Sequence, residues 1–166
     1  MIDDRQKKAD VLLDSAKNHL FYYSKSVVAL LRFVTLIWNY SINIYITDLE
    51  TSVFFKNNGD ETFTDIAALT GTEFNSTAWG AIFLDGDNDA DLDLYVSGTD
   101  VNTPNRISAA FYENIGPNNF QIPSNAGFQD DDRFSYSNAI GDLNNDGLVD
   151  FVVTNSNDQN VFYLEK

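Results

Sequence analysis

The chain has 166 residues, a length typical of one domain, with a formal net charge of −15 and no cysteine. Disulfides, cysteine–zinc sites and thiol catalysis are therefore excluded, and so acidic a body repels the phosphates of nucleic acid. The charge is uneven: residues 1–32 carry six basic and four acidic side chains, whereas residues 33–166 carry four basic and twenty-one acidic ones.

Residues 1–42 read as an N-terminal helical and apolar segment, distinct from the rest of the chain. Asp3 and Asp4 suit the first turn of a helix, and Val11, Leu12, Ala16, Leu20 and Tyr23 recur at roughly helical spacing. From Val27 to Trp38 the run is almost wholly apolar. A signal peptide would carry its apolar core nearer the start and a small-residue cleavage site behind it, and Asn39-Tyr40-Ser41-Ile42 offers none. A membrane helix over 27–46 has sufficient length, but burying Arg32 costs about 2.5–3.5 kcal/mol near the bilayer centre. The reading adopted is a packed helix followed by a strand.

From residue 43 the pattern is β. Ile44-Tyr45-Ile46 and Ser52-Val53-Phe54-Phe55 are predicted strands, and Asn57-Asn58-Gly59-Asp60 is a hairpin turn whose Asn and Gly tolerate positive φ. Thr62 to Ile66 continues as a strand, residues 67–74 connect, and Trp79 to Leu84 rises into an acidic stretch. That stretch, Asp85-Gly86-Asp87-Asn88-Asp89-Ala90-Asp91-Leu92-Asp93, alternates five carboxylates within nine residues before the strand Leu94-Tyr95-Val96. Like charges so close repel unless something neutralises them. Ca2+ takes six to eight oxygen ligands, and a tight loop of alternating Asp supplies them, so the loop reads as a calcium site rather than a solvated acidic turn.

Residues 98–106 form a loop in which Pro104 bars a central strand. Ser108 to Asn114 is then a strand, Gly116 to Asn119 a turn and Phe120 to Ile122 a short strand, with Asp130 to Asp132 a solvated turn. Tyr136 to Ile140 leads into Asp142-Leu143-Asn144-Asn145-Asp146-Gly147-Leu148-Val149-Asp150, which carries oxygen side chains at positions 1, 3, 5 and 9. Phe151 to Thr154 leaves that loop, and Val161 to Leu164 is the aromatic strand of a third repeat. Asp85 and Asp142 lie 57 residues apart, and the same offset carries Gly59 in Phe54–Gly59 onto Gly116 in Phe111–Gly116. Two unrelated features sharing one offset define an internal repeat, and such periods indicate propellers, solenoids or arrays.

These motifs resemble the FG-GAP/VCBS repeat family, the calcium-binding blades found in integrin alpha-subunit propellers. The Asp-rich loops running into Asp-Leu-Asp-Leu-Tyr-Val (91–96) and Val-Asp-Phe-Val-Val (149–153) carry the likeness, with the aromatic strand entering Asn-Asn-Gly-Asp-Glu-Thr-Phe-Thr-Asp (57–65). The likeness spans roughly residues 44–166. It implies a mainly β fold, an incomplete β-propeller-type array of antiparallel blades, with Ca2+ in the loop between neighbouring strands. The implied ligands are Asp85, Asp87, Asp89 and Asp93, and Asp142, Asn144, Asp146 and Asp150, with Asp91 or Leu148 offering a backbone carbonyl. An EF-hand, the rival for such loops, needs a Glu at position 12 between two helices, and that position holds Val96 or Val153 within a strand.

Aligning Ile44-Tyr45-Ile46 with Leu94-Tyr95-Val96, at an offset of 50, puts Thr35, Ile37, Asn39, Ser41 and Asn43 where the ligands would be. Either an upstream blade has lost its metal site, or the repeat begins near Asn43, and the second reading is preferred. Propellers close with four to eight blades, so about two and a half repeats call for further blades or an oligomer. His19, the single histidine, sits far from any acidic cluster, and no nucleophile–base pair or phosphate loop is visible. The expectation is a non-enzymatic calcium-binding module at or outside the cell surface, recognising a protein or carbohydrate. A noncatalytic fragment of a larger secreted enzyme and a membrane-anchored surface protein are the alternatives.

Overall fold

The computed structural model describes residues 33–38, 41–99, 107–124, 133–156 and 159–163. Residues 1–32 of the expected helical and apolar segment 1–42, most of the loop 98–106 and the Asp130–Asp132 turn lie outside them. Among the described residues, eleven strands form three antiparallel sheets, each a meander of consecutive strands. The first sheet contains β1 (Phe33–Trp38), β2 (Ser41–Ile46), β3 (Val53–Asn57) and β4 (Phe63–Asp65). The second contains β5 (Ala78–Leu84), β6 (Asp93–Gly98), β7 (Ala109–Asn114) and β8 (Phe120–Gln121). The third contains β9 (Phe134–Gly141), β10 (Asp150–Ser156) and β11 (Val161–Tyr163). The fold is mainly β, an open array of antiparallel blades, and β1 lies beside β5 and β5 beside β9.

Residues 33–38 depart from the expected helix. They form a strand paired with 41–46, in register from Phe33↔Ile46 to Trp38↔Ser41. Phe33-Val34-Thr35-Leu36-Ile37-Trp38 is rich in β-branched and aromatic residues, and an apolar run of this length is ambiguous until a partner strand is available. The same hairpin occupies the described part of the candidate membrane helix 27–46. No helix among the described residues is long and apolar enough to cross a membrane. The first sheet thus extends upstream of Asn43, and its first two strands are separated by two residues where those of the other two sheets are separated by acidic loops.

Strand alternation explains how the sheets stack. In the middle sheet Phe83, Leu94, Val96, Ala110 and Tyr112 face the first sheet, packing with Tyr45, Phe54, Phe74 and Phe120. The residues between them, Ile82, Leu84, Tyr95, Ala109 and Phe111, face the third sheet and meet Phe151 and Val153. Successive side chains of a strand point to opposite faces, so a strand sandwiched between two sheets must be apolar at every position. β6 is buried throughout and meets that demand in Leu94-Tyr95-Val96, while the polar Asp93 and Ser97 on either side are hydrogen-bonded to main chain. Phe54 anchors the first interface, with ring centroids 5.9 Å from Tyr45, 5.9 Å from Phe83 and 6.1 Å from Phe120. Tyr95 and Phe151 anchor the second at 5.0 Å.

The connection predicted over 67–74 holds one helical turn, α1 (Ala67–Thr70). Asp65 Oδ1 accepts the Ala67 and Phe54 amides at 3.0 and 3.2 Å, which starts the turn and ties it to β3. Gly71, at φ 76°, ends it in the left-handed region open to glycine. The chain then returns against the first sheet, where the Ser52 amide donates to Phe74 O and the Ala78 amide to Asp48 O, at 3.1 and 2.9 Å.

Candidate metal centre

Each acidic loop joins the first two strands of its sheet, and both are built to one plan. In the first, Asp85 receives the amides of Asp89 and Ala90 at 3.1 and 3.2 Å, Asp87 that of Asp89 at 3.2 Å, and Asp89 that of Asp91 at 2.8 Å. In the second, Asp142 receives the amides of Asp146 and Gly147 at 3.1 and 3.0 Å, Asn144 that of Asp146 at 3.0 Å, and Asp146 that of Leu148 at 2.9 Å. Position 1 thus accepts from positions 5 and 6, position 3 from 5, and position 5 from 7. Positions 4 and 6 are left-handed in both loops: Asn88 and Ala90 at φ 62° and 72°, Asn145 and Gly147 at 68° and 88°. These turns curl the chain around its own side-chain oxygens.

Asp85, Asp87 and Asp89 converge, with one oxygen from each within 4.8 Å of the others. Asp91 and Asp93 stand outside that group. Asp93 is buried, its Oδ2 accepting the Gly86 amide at 2.9 Å and its Oδ1 the Asn114 amide at 2.8 Å. Burial pushes the Asp93 carboxyl up to about 6 and the charges of Asp87 and Asp89 add to the rise, against the two amide bonds. Asp87 is likewise raised, chiefly by desolvation and then by Asp89 and Glu113, while the Asp89 amide pulls the other way. Crowded carboxylates that resist ionisation are the electrostatic condition a hard cation relieves, and the donor set, oxygen throughout, fits one.

The second loop is less charged. Asn144 replaces a carboxylate at position 3 and donates its amide group to Asp146 Oδ2 at 2.8 Å. Asp150, fully buried, accepts the Leu143 amide at 2.7 Å, as Asp93 accepts that of Gly86. Leu148 stands at position 7, as Asp91 does in the first loop.

Two features escaped the sequence reading, and both repeat. Asn114 ends β7, bonds Asp93 through its main chain and donates from Nδ2 to Leu92 O at 3.3 Å, so the β7–β8 turn is tied to the acidic loop. Asn57 ends β3 in the same way, 57 residues earlier. Trp79 and Tyr136 are also 57 apart; each is the residue skipped by a register shift at the start of β5 or β9. Their rings stack across the two sheets at 5.5 Å. Trp79 is only half-buried and donates Nε1–H to Thr99 Oγ1 at 3.0 Å. The repeat offset was the available signal for both pairs.

No protein-family model, no curated protein and no solved structure matches this chain.

Proposed function

We propose that the chain is a non-enzymatic, calcium-binding β-propeller-type repeat module of the FG-GAP/VCBS kind, in which the ion is structural. The observation that carries this reading is the convergence of Asp85, Asp87 and Asp89 within a loop whose hydrogen-bond plan recurs 57 residues later. Asp85, Asp87, Asp89 and Asp93 with the Asp91 carbonyl would hold one Ca2+. Asp142, Asn144, Asp146 and Asp150 with the Leu148 carbonyl would hold the other. When bound, the ion neutralises the loop and contributes its binding free energy to folding. Sites of this type work where calcium is millimolar, so the module belongs outside the cell or on its surface, recognising a protein or carbohydrate partner. Further blades or a second copy complete the array.

The test is calorimetric titration of the whole chain with CaCl2, with thermal unfolding in millimolar calcium and in chelator. Two binding events are expected, with a calcium-dependent rise in Tm that Asp85→Ala and Asp142→Ala each reduce. No heat of binding and equal Tm in calcium and chelator would sink the proposal.

A further inference from the structure

The first sheet has no acidic loop, yet it retains one part of the loop's framework. Asn43 occupies the place of Asp93, and its Oδ1 accepts the Asn57 amide at 2.9 Å, as Asp93 Oδ1 accepts the Asn114 amide at 2.8 Å. Asn57 and Asn114 each end the third strand of their sheet. Each also caps the turn beyond with its own side chain, receiving the amides of Gly59 and Gly116 at 2.8 and 3.2 Å. The two sheets differ in the connection between their first two strands. In the first sheet β1 and β2 pair up to Trp38↔Ser41, with two residues between the strands. In the second sheet the nine-residue acidic loop brings a further amide, that of Gly86, onto Asp93 Oδ2 at 2.9 Å.

We infer that the residue at this place, Asn43 or Asp93, is a main-chain clasp that works without any ion, and that the number of amides it must accept sets its chemistry. An Asn side chain has one acceptor oxygen and suffices for the single Asn57 amide. Where the loop presents a second N–H, an Asn NH2 would face it donor to donor, and a buried amide left without an acceptor costs about 1–3 kcal/mol. A carboxylate has two acceptor oxygens and closes both bonds. Asp93 is therefore a positioning residue: it pins the start of the acidic loop to the end of β7, whatever else its remaining lone pairs do. Asp150 takes up the matching loop amide, that of Leu143, in the third sheet.

The clasp goes beyond the calcium reading and is tested apart from it, by residue-resolved amide hydrogen exchange on the whole chain in excess chelator. In Asp93→Ala the Gly86 and Asn114 amides should exchange at least about tenfold faster, with the β6 ladder amides of Leu94 and Val96 unchanged. Asp93→Asn should release one of the two and keep the other. Asn43→Ala should release Asn57 and leave Asn114 as it was. Should Asp93→Ala fail to fold, the other two variants decide the matter. Both loop amides staying protected in Asp93→Asn, or Asn57 staying protected in Asn43→Ala, overturns the inference. Because no ion is present, absence of calcium binding elsewhere leaves this result standing.

Discussion

Position 6 of the two acidic loops sets up a paired experiment. Ala90 and Gly147 have the same left-handed backbone, at φ 72° and 88°, and their amides make the same bond, to Asp85 and Asp142 at 3.2 and 3.0 Å. A Cβ in this region costs roughly 1–2 kcal/mol, while glycine loses about 0.4–1 kcal/mol to the freedom of the unfolded chain. Ala90→Gly should therefore stabilise the protein by about 0.5–1 kcal/mol. Gly147→Ala should destabilise it by about 1 kcal/mol. A Cβ built on Gly147 meets nothing within 4 Å, so the cost is confined to the local backbone. For a chain of this length such changes move Tm by about 2–4 °C per kcal/mol, in opposite directions. Thermal unfolding in chelator reads both shifts free of any metal effect, and the same shifts should persist in calcium because the backbone strain does not depend on the ion. A fall in Tm for Ala90→Gly, or no change for Gly147→Ala, would refute the reasoning.

Acidity should act with a definite sign in the metal-free protein. The folded Asp93 carboxyl lies near 6, above its unfolded value of 3.8, so its stabilising contribution is complete below about 4 and is lost as pH rises through 6. Asp87 is shifted in the same direction. Tm of chelated, desalted protein should rise from pH 7 to pH 5 and rise less in Asp93→Ala; a steady fall over that window contradicts the assignment. In the core, Phe54→Ala removes the ring shared by Tyr45, Phe83 and Phe120 and should cost about 3–5 kcal/mol in denaturant unfolding. A loss below 1 kcal/mol would mean that the first interface is not the packed core described. Gly98→Ala would place a Cβ 2.5 Å from Thr77 O and 3.0 Å from the Phe74 ring. Overpacking of that kind costs typically about 1–3 kcal/mol, and a neutral result in the same unfolding assay would show that the 77–78 entry to β5 yields freely.

Much of this architecture was legible because the middle and third sheets obey two local rules at once. Leu94-Tyr95-Val96 and Phe151-Val152-Val153 follow a turn-forming acidic run, so period, length and boundary agree on a strand. The 57-residue offset then marks the pairs as copies of one unit. The same offset contained Asn57 with Asn114, and Trp79 with Tyr136, but neither pair could be given a role from spacing alone. What Asn114 does depends on where β6 places Asp93, and what Trp79 does depends on a register shift. Both are settled by strand pairing over distances the local pattern does not encode. Phe33 to Trp38 is the counter-example. An unbroken apolar run fits a buried helix as well as a strand, and only its pairing with Ser41 to Ile46 chooses between them.

That hairpin also changes the meaning of the chain's chemistry. The sequence unit begins at the second strand of one sheet and ends with the first strand of the next, so each repeat straddles two blades. Asn43 then appears as the first residue of a repeat, with nothing to say that a sheet precedes it. With β1 in place, only residues 39 and 40 separate the first two strands of the first sheet, and neither is acidic. The clasp residue at the same place is the neutral, half-buried Asn43. The second and third sheets keep a buried Asp there, next to loops crowded with other acids. Charge at the clasp and charge in the loop are thus present together or absent together. Ionising a buried carboxylate beside other carboxylates is unfavourable unless a cation joins them. The second amide, that of Gly86, accounts by itself for a carboxylate at Asp93, so it is the crowding of Asp85, Asp87 and Asp89 beside it, absent from the first sheet, that an ion would relieve.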